Sequence, residues 1–200
     1  MKSPLNYQIT ENQSGGLTVF NCVSFLFDRD EMPLEFLRIM ASYSLGCYDE
    51  FGNLAKPEFY ENLLFFASSW LNDYAKDKRI PLKTKYLTRD DVNLLEIRKC
   101  LLAGGCVALK TFRRGTHYVT VTGMDNDEMF IFDPYFRPEG TFKDSSGIKI
   151  IMDKPFYYNR KIKIEKFISE QKSELVLGSV PEREAVLFFR NNAVLEREFD

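Results

Sequence analysis

The sequence predicts an α+β protein, with helices first and an antiparallel sheet after them. Three observations carry this expectation. Between Cys22 and Gly105 the longer apolar stretches recur at helical spacing, three and four residues apart. After Gly105 come six short runs rich in β-branched and aromatic residues: CVALKTF, HYVTVTGM, EMFIFDPY, IKIIM, RKIKIEKFI and EAVLFFR. The two kinds of segment do not alternate, as βαβ units would require.

Each element can be justified in turn. Residues 1–20 are polar and turn-rich, with Pro4, Asn12, Gly15 and Gly16, and predict short strand-like pieces. At NCVSFLF the chain turns apolar, and a loop is expected to enter a helix there. EMPLEFLRIMASYSL reads as a helix with Pro33 near its start. GCYDEFGNLAKPE reads as a loop. FYENLLFFASSWLNDYAKD reads as a helix, with apolar positions at 63, 66, 67, 70, 71 and 74 and Trp70 in the core stripe. KRIPLKTKYL predicts a short strand. VNLLEIRKCLLAG predicts a helix stopped by Gly104-Gly105.

Composition narrows the function. The 200 residues are 44% hydrophobic and 28% charged, enough for a real core in one domain spanning residues 1–200. Within it, a helical half over about 20–105 precedes a β half over about 105–200. A net charge of −2 gives no basic excess for nucleic acid or anionic lipid. The N-terminus lacks an apolar signal core, and no stretch reaches the roughly 18 apolar residues of a membrane span. A cytoplasmic location is expected. Cys22, Cys47, Cys100 and Cys106 form no CxxC pair, and His117 is the only histidine, so neither a metal site nor a cofactor is implied. Nothing bears on oligomeric state.

The chemistry concentrates in RGTHYVTVTGMDNDEMFIFDPY. GMDNDE is a hairpin turn signal. A turn centred on Asp125 would set Val121 against Met129, Val119 against Ile131 and His117 against Asp133. Opposed Cβ atoms lie about 4.5–5.5 Å apart, within reach of a carboxylate–imidazole hydrogen bond. A nucleophile is then needed, and Cys22 is the candidate. At a helix N-terminus and beside an imidazole its thiol would ionise readily. Asp133 would fix the imidazole tautomer and stabilise its charged form.

In the order of these motifs, and most closely over LLAGGCVALKTFRRGTHYVTVTGMDNDEMFIFDP, the chain resembles the papain-like bacteriocin-processing peptidases, cysteine peptidase family thirty-nine, and their free-standing bacterial relatives. The resemblance implies a papain-like fold, its N-terminal helical half packed on a C-terminal antiparallel sheet. It implies that His117 and Asp133 are catalytic and that a peptide or acyl group is the substrate. Family members often carry Cys-Gly-Pro with a Gln about six residues earlier for the oxyanion hole. Here Val23-Ser24 follows Cys22, and Gly16 stands six residues before it. Gln8 and Gln13 lie nearby, and Gln13 and Asn21 are the oxyanion candidates. The expected activity is peptide or amide hydrolysis through a Cys22 thioester. Papain-like acyltransferases of antibiotic biosynthesis keep the thiol and change the acceptor, which is one alternative. A catalytically silent peptide-binding domain is another.

The remaining features read as structural. Cys100 and Cys106 flank a glycine turn and are expected to pack. Cys47 lies in a loop with no basic partner. Ser14-Gly15-Gly16 reads as a flexible turn. Lys110, Arg113 and Arg114 read as a solvated hairpin tip that could also hold an acidic group.

Overall fold

A computed structural model describes residues 1–9, 13–44 and 63–190. The loop expected over 46–58, with Cys47, lies outside them. The elements follow the expected order. Three helices, α1 (Ser14–Leu26), α2 (Leu34–Ser44) and α3 (Leu63–Asp77), precede β1 (Leu82–Thr88) and α4 (Leu94–Leu102). Then come β2 (Cys106–Phe112), β3 (Thr116–Met124), β4 (Glu128–Phe132), β5 (Ile148–Ile150), β6 (Arg160–Lys163), the short α5 (Ile164–Phe167) and β7 (Glu184–Arg190). The strands form one seven-stranded sheet in the order β1-β7-β2-β3-β4-β6-β5, and every pair in it is antiparallel. The expected α+β class is what the chain adopts.

Alternation along the strands divides the core in two. Cys106, Ala108, Tyr118, Val186 and Phe188 face α1, α2 and α3. Val107, Leu109, Val119, Val121 and Leu187 face α4 and α5. Helices therefore cover both sides of the sheet, where a single helical half on one side was expected. Among the described residues no helix is long and apolar enough to cross a membrane.

Four local expectations need correction. The first helix starts at Ser14, eight residues before Cys22, and Ser14, Gly15 and Gly16 are its buried first turn. Packing overrides the poor helix propensity of glycine. A Cβ on Gly15 would meet Leu63 Cδ2 at 3.0 Å and Tyr118 Cδ2 at 3.3 Å, so the glycine admits a close helix–sheet approach. The buried stripe of α3 runs through Leu64, Ala67, Ser68, Leu71 and Ala75, which shares Ala67 and Leu71 with the predicted positions, while Leu63, Trp70 and Tyr74 pack partly buried beside it. Trp70 is only half-buried, stacking on Phe36 at 6.1 Å, and Phe66 is exposed. The strand at RKIKIEKFI stops at Lys163, where α5 begins. Finally, the β3–β4 hairpin pairs Val121 with Ile131 and Met124 with Met129, with a bulge between Val121 and Gly123. That is a two-residue shift from the expected register, and a shift of two keeps every side chain on its face.

Candidate active site

The corrected register places Asp133 one step beyond the Thr120–Phe132 pair, beside Val119 and diagonal to His117. Diagonal neighbours on one face stay within reach of longer side chains. The His117 Nε2 to Asp133 Oδ1 distance is 2.7 Å, with both residues buried.

Three groups hold the carboxylate in place. The Tyr135 N–H donates to Asp133 Oδ1 at 2.9 Å, a turn that follows from the Asp-Pro sequence. The Asn159 amide clamps the Asp133 backbone from both sides. Its Oδ1 accepts from the Asp133 N–H at 2.8 Å, and its Nδ2 donates to the Asp133 carbonyl at 2.7 Å. Arg160 is fully buried. It donates to the carbonyls of Asn159 and Tyr135 at 2.8 and 3.0 Å and sets its guanidinium 3.8 Å from Asp133 Oδ2. Burial pushes the Asp133 carboxyl up. The hydrogen bond from His117, the Arg160 guanidinium and the Tyr135 N–H outweigh it and hold the group below the ordinary carboxylate range. An ionised carboxylate only accepts, so the hydrogen on Nε2 belongs to His117. The other ring nitrogen, Nδ1, is left with its lone pair and is the atom able to take a proton.

The first turn of α1 lies against the other face of this end of β3, the face of Tyr118 and Thr120. Gly15 meets the Tyr118 ring, the Thr120 hydroxyl donates to the Thr18 carbonyl at 3.3 Å, and the Gln8 N–H donates to the Pro134 carbonyl at 2.8 Å. The first bond inside the helix runs from the Leu17 N–H to the Gln13 carbonyl, and no side chain caps its start. The earlier N–H groups of this turn have no partner within the helix.

Cys22 is elsewhere. It is fully buried on the third turn of α1, where the Cys106 thiol donates to its carbonyl at 3.5 Å. Cys106 opens β2 next to the Val107–Val121 pair, five positions along the sheet from the Thr111–His117 pair. At about 3.3 Å per residue that is about 16 Å. The structure therefore brings His117 and Asp133 together and leaves the Cys22 thiol in the core, because the helix starts eight residues earlier than its sequence suggests. Cys100 and Cys106 pack as expected. Burial pushes the Cys100 thiol up to about 12, and burial with the neighbouring Cys22 pushes Cys106 up as well.

The two oxyanion candidates part company. Gln13 is buried at the head of α1, its Oε1 accepting from the Ile9 N–H at 2.9 Å. Asn21 lies beside Cys22 and exchanges hydrogen bonds of 2.8 and 3.0 Å with the Asn6 backbone, tying the N-terminal segment to α1. Arg113 is not a solvated tip residue, since its guanidinium stacks on the Tyr135 ring at 3.2 Å.

The residues that hold Asp133, Asn159 and Arg160, are the ones the sequence does not announce.

No protein-family model matches the chain, and no curated protein matches it. Among solved structures, the chain is similar to a Bacillus anthracis protein assigned as a C39-like peptidase, with a TM-score of 0.49 and 14% identity over 92% of this chain and 93% of that one. A likeness at that level bears on neither the activity nor the site residues.

Proposed function

We propose that the protein is a papain-like acyl-transfer enzyme that cleaves an amide or ester bond. His117 moves the protons, and Asp133 orients it. The observation that carries this reading is the 2.7 Å contact between His117 Nε2 and Asp133 Oδ1, with the carboxylate ionised by buried partners. A buried imidazole turned by a fixed carboxylate is the arrangement a general base needs. Cys22 has no part in it, because its thiol lies too far along the sheet. A peptide or a small acyl group suits the site, and water or an amine can serve as final acceptor.

The test is hydrolysis of p-nitrophenyl butyrate by wild type, His117→Ala and Asp133→Asn. A loss of about 10²-fold or more in both variants supports the reading. Equal rates in all three, no faster than buffer, sink it and leave a silent binding domain.

A further inference from the structure

We propose that Arg113 binds a carboxylate of the substrate, so that the site prefers an acidic acyl group or a peptide carrying a carboxylate. The inference rests on the reading of His117 and Asp133 given above and deepens it.

Local structure sets the side chain. β2 and β3 close on each other at the Phe112–Thr116 pair, which leaves Arg113, Arg114 and Gly115 as the turn. The Arg113 N–H donates to the Gly115 carbonyl at 2.9 Å, and Arg114 takes a left-handed φ of +55°. A non-glycine residue keeps that conformation only where its surroundings fix it. The Arg113 guanidinium lies over the Tyr135 ring, 3.2 Å from its centroid. The Tyr135 N–H donates to Asp133 Oδ1 at 2.9 Å, the same oxygen that takes the His117 Nε2 hydrogen at 2.7 Å. Contacts therefore run from Arg113 through Tyr135 and Asp133 to the imidazole.

Charge singles Arg113 out. Three guanidinium groups meet at Tyr135, since Arg137 lies 5.7 Å from the ring centroid and Arg160 donates to the Tyr135 carbonyl at 3.0 Å. Two of them have acid partners. Arg137 makes a bidentate pair with Glu174 at 2.7 and 2.8 Å, and Arg160 lies 3.8 Å from Asp133 Oδ2. Among the described residues Arg113 forms no ion pair, and its Nε is buried without a hydrogen-bond partner. The lysines at this end of β2 are matched as well, Lys110 lying 3.9 Å from Glu184 and Lys172 3.0 Å from Glu182.

The chemistry of a stacked guanidinium selects the ligand. Stacking engages the face of the group and leaves the N–H donors in its plane. Two such donors match the two oxygens of a carboxylate. An aromatic face that fixes the group beforehand lowers the cost of ordering it on binding. A substrate carboxylate supplies the counter-charge that this end of the sheet lacks.

The experiment uses the full chain, with near-ultraviolet circular dichroism confirming the fold of each variant. His117 is the only histidine, so its ring protons give one set of NMR signals that reports on anything bound nearby. Adipate, its neutral diamide and inorganic phosphate are each titrated into wild type, Arg113→Gln and Arg114→Gln. Adipate should shift the His117 signals of wild type and Arg114→Gln at concentrations where the diamide does not. Its Kd should rise about tenfold or more in Arg113→Gln. In kinetics, kcat/KM for the p-nitrophenyl monoester of suberate is divided by kcat/KM for p-nitrophenyl butyrate. That ratio should fall about tenfold or more in Arg113→Gln, through KM, and hold in Arg114→Gln. Arg114→Gln removes the same charge one residue away, so equal losses in the two variants would mean a general field and overturn the site. A diamide as effective as adipate overturns it too. Phosphate binding at Arg113 without adipate binding overturns the assignment to a carboxylate. Hydrolysis that needs His117, with an ester ratio indifferent to Arg113, removes the role of Arg113 and leaves the His117–Asp133 reading standing. Adipate binding that needs Arg113, in a chain that hydrolyses neither ester, supports the carboxylate site and removes that reading. Neither binding nor hydrolysis removes both.

Discussion

Asn159→Ala tests how Asp133 is held. The Asn159 side chain is buried and satisfies two backbone groups of Asp133, the N–H at 2.8 Å and the carbonyl at 2.7 Å. Its own backbone bonds to Ile131 and Ile151 do not depend on the amide. Alanine removes both partners and leaves two buried polar groups unmade. Each costs about 1–3 kcal/mol, which sums to about 2–6 kcal/mol. That is a large share of the ~5–15 kcal/mol that holds a typical domain folded. The assay is equilibrium urea denaturation. With an m-value near 3 kcal/mol/M, the midpoint should fall by about 0.7–2 M at unchanged slope. A shift under about 0.2 M would refute the reasoning, since it would mean that the Asp133 backbone finds other partners at no cost.

Four further outcomes follow from the same geometry. Asp133→Asn should abolish most ester hydrolysis, because an amide can hold the wrong imidazole tautomer, and it should also leave the Arg160 charge buried without its partner; kinetics and denaturation measured together will separate the two losses. The Asp133 carboxyl is held low in the native state, so the unfolded chain binds more protons as the pH drops below about 4, and the stabilisation present above that range is lost as pH falls through the native value. An acid titration of stability should therefore be flatter in Asp133→Asn than in wild type. Cys22→Ala should keep ester hydrolysis within about twofold while losing about 1–3 kcal/mol of stability from a core cavity, and a catalytic collapse with an intact fold would restore the thiol as nucleophile. Gly105→Ala should destabilise by about 3 kcal/mol or more, since its Cβ would collide with the Phe188 carbonyl and come within 2.7 Å of Cys100 Sγ, and a thermal melt at the wild-type temperature would disprove it.

Much of this fold is written in local pattern. CVALKTF is a short apolar run between Gly105 and the Arg113-Arg114-Gly115 turn, and is a strand over Cys106–Phe112. VNLLEIRKCLLAG carries its own N-cap, Asn93, whose side chain accepts from the Glu96 N–H, and it ends at Gly104 with φ of +76°. Such segments state their structure without help from the rest of the chain. The head of α1 does not. Gln-Ser-Gly-Gly has neither the propensity nor a side-chain cap for a helix start, and it is helical because Tyr118 and Leu63 pack on it. The same blind spot misplaced Cys22, which lies on the third turn of α1 and not at its start. The His117–Asp133 pairing was legible because parity alone puts both side chains on one face. The register was not, because the bulge at Thr122 leaves no composition signal. Asn159 and Arg160 were invisible for another reason. Arg160 opens β6 and Asn159 stands just before it, and that strand meets β4 only through tertiary pairing.

The sheet order carries a consequence for how this protein comes into being. β7 is the most C-terminal described strand, yet it lies between β1 and β2. Until residues 184–190 leave the ribosome, β1 has no neighbour and β2 has an open edge. The sequence separations closed in that one insertion run to about a hundred residues, the kind of non-local pairing that slows folding. A nascent chain would carry His117 and Asp133 long before the sheet beneath them is continuous. Any acyl chemistry should therefore switch on only after residues 184–190 have emerged and paired, and an unfilled strand gap is the place where a chaperone, or a second unfinished copy, would find a foothold.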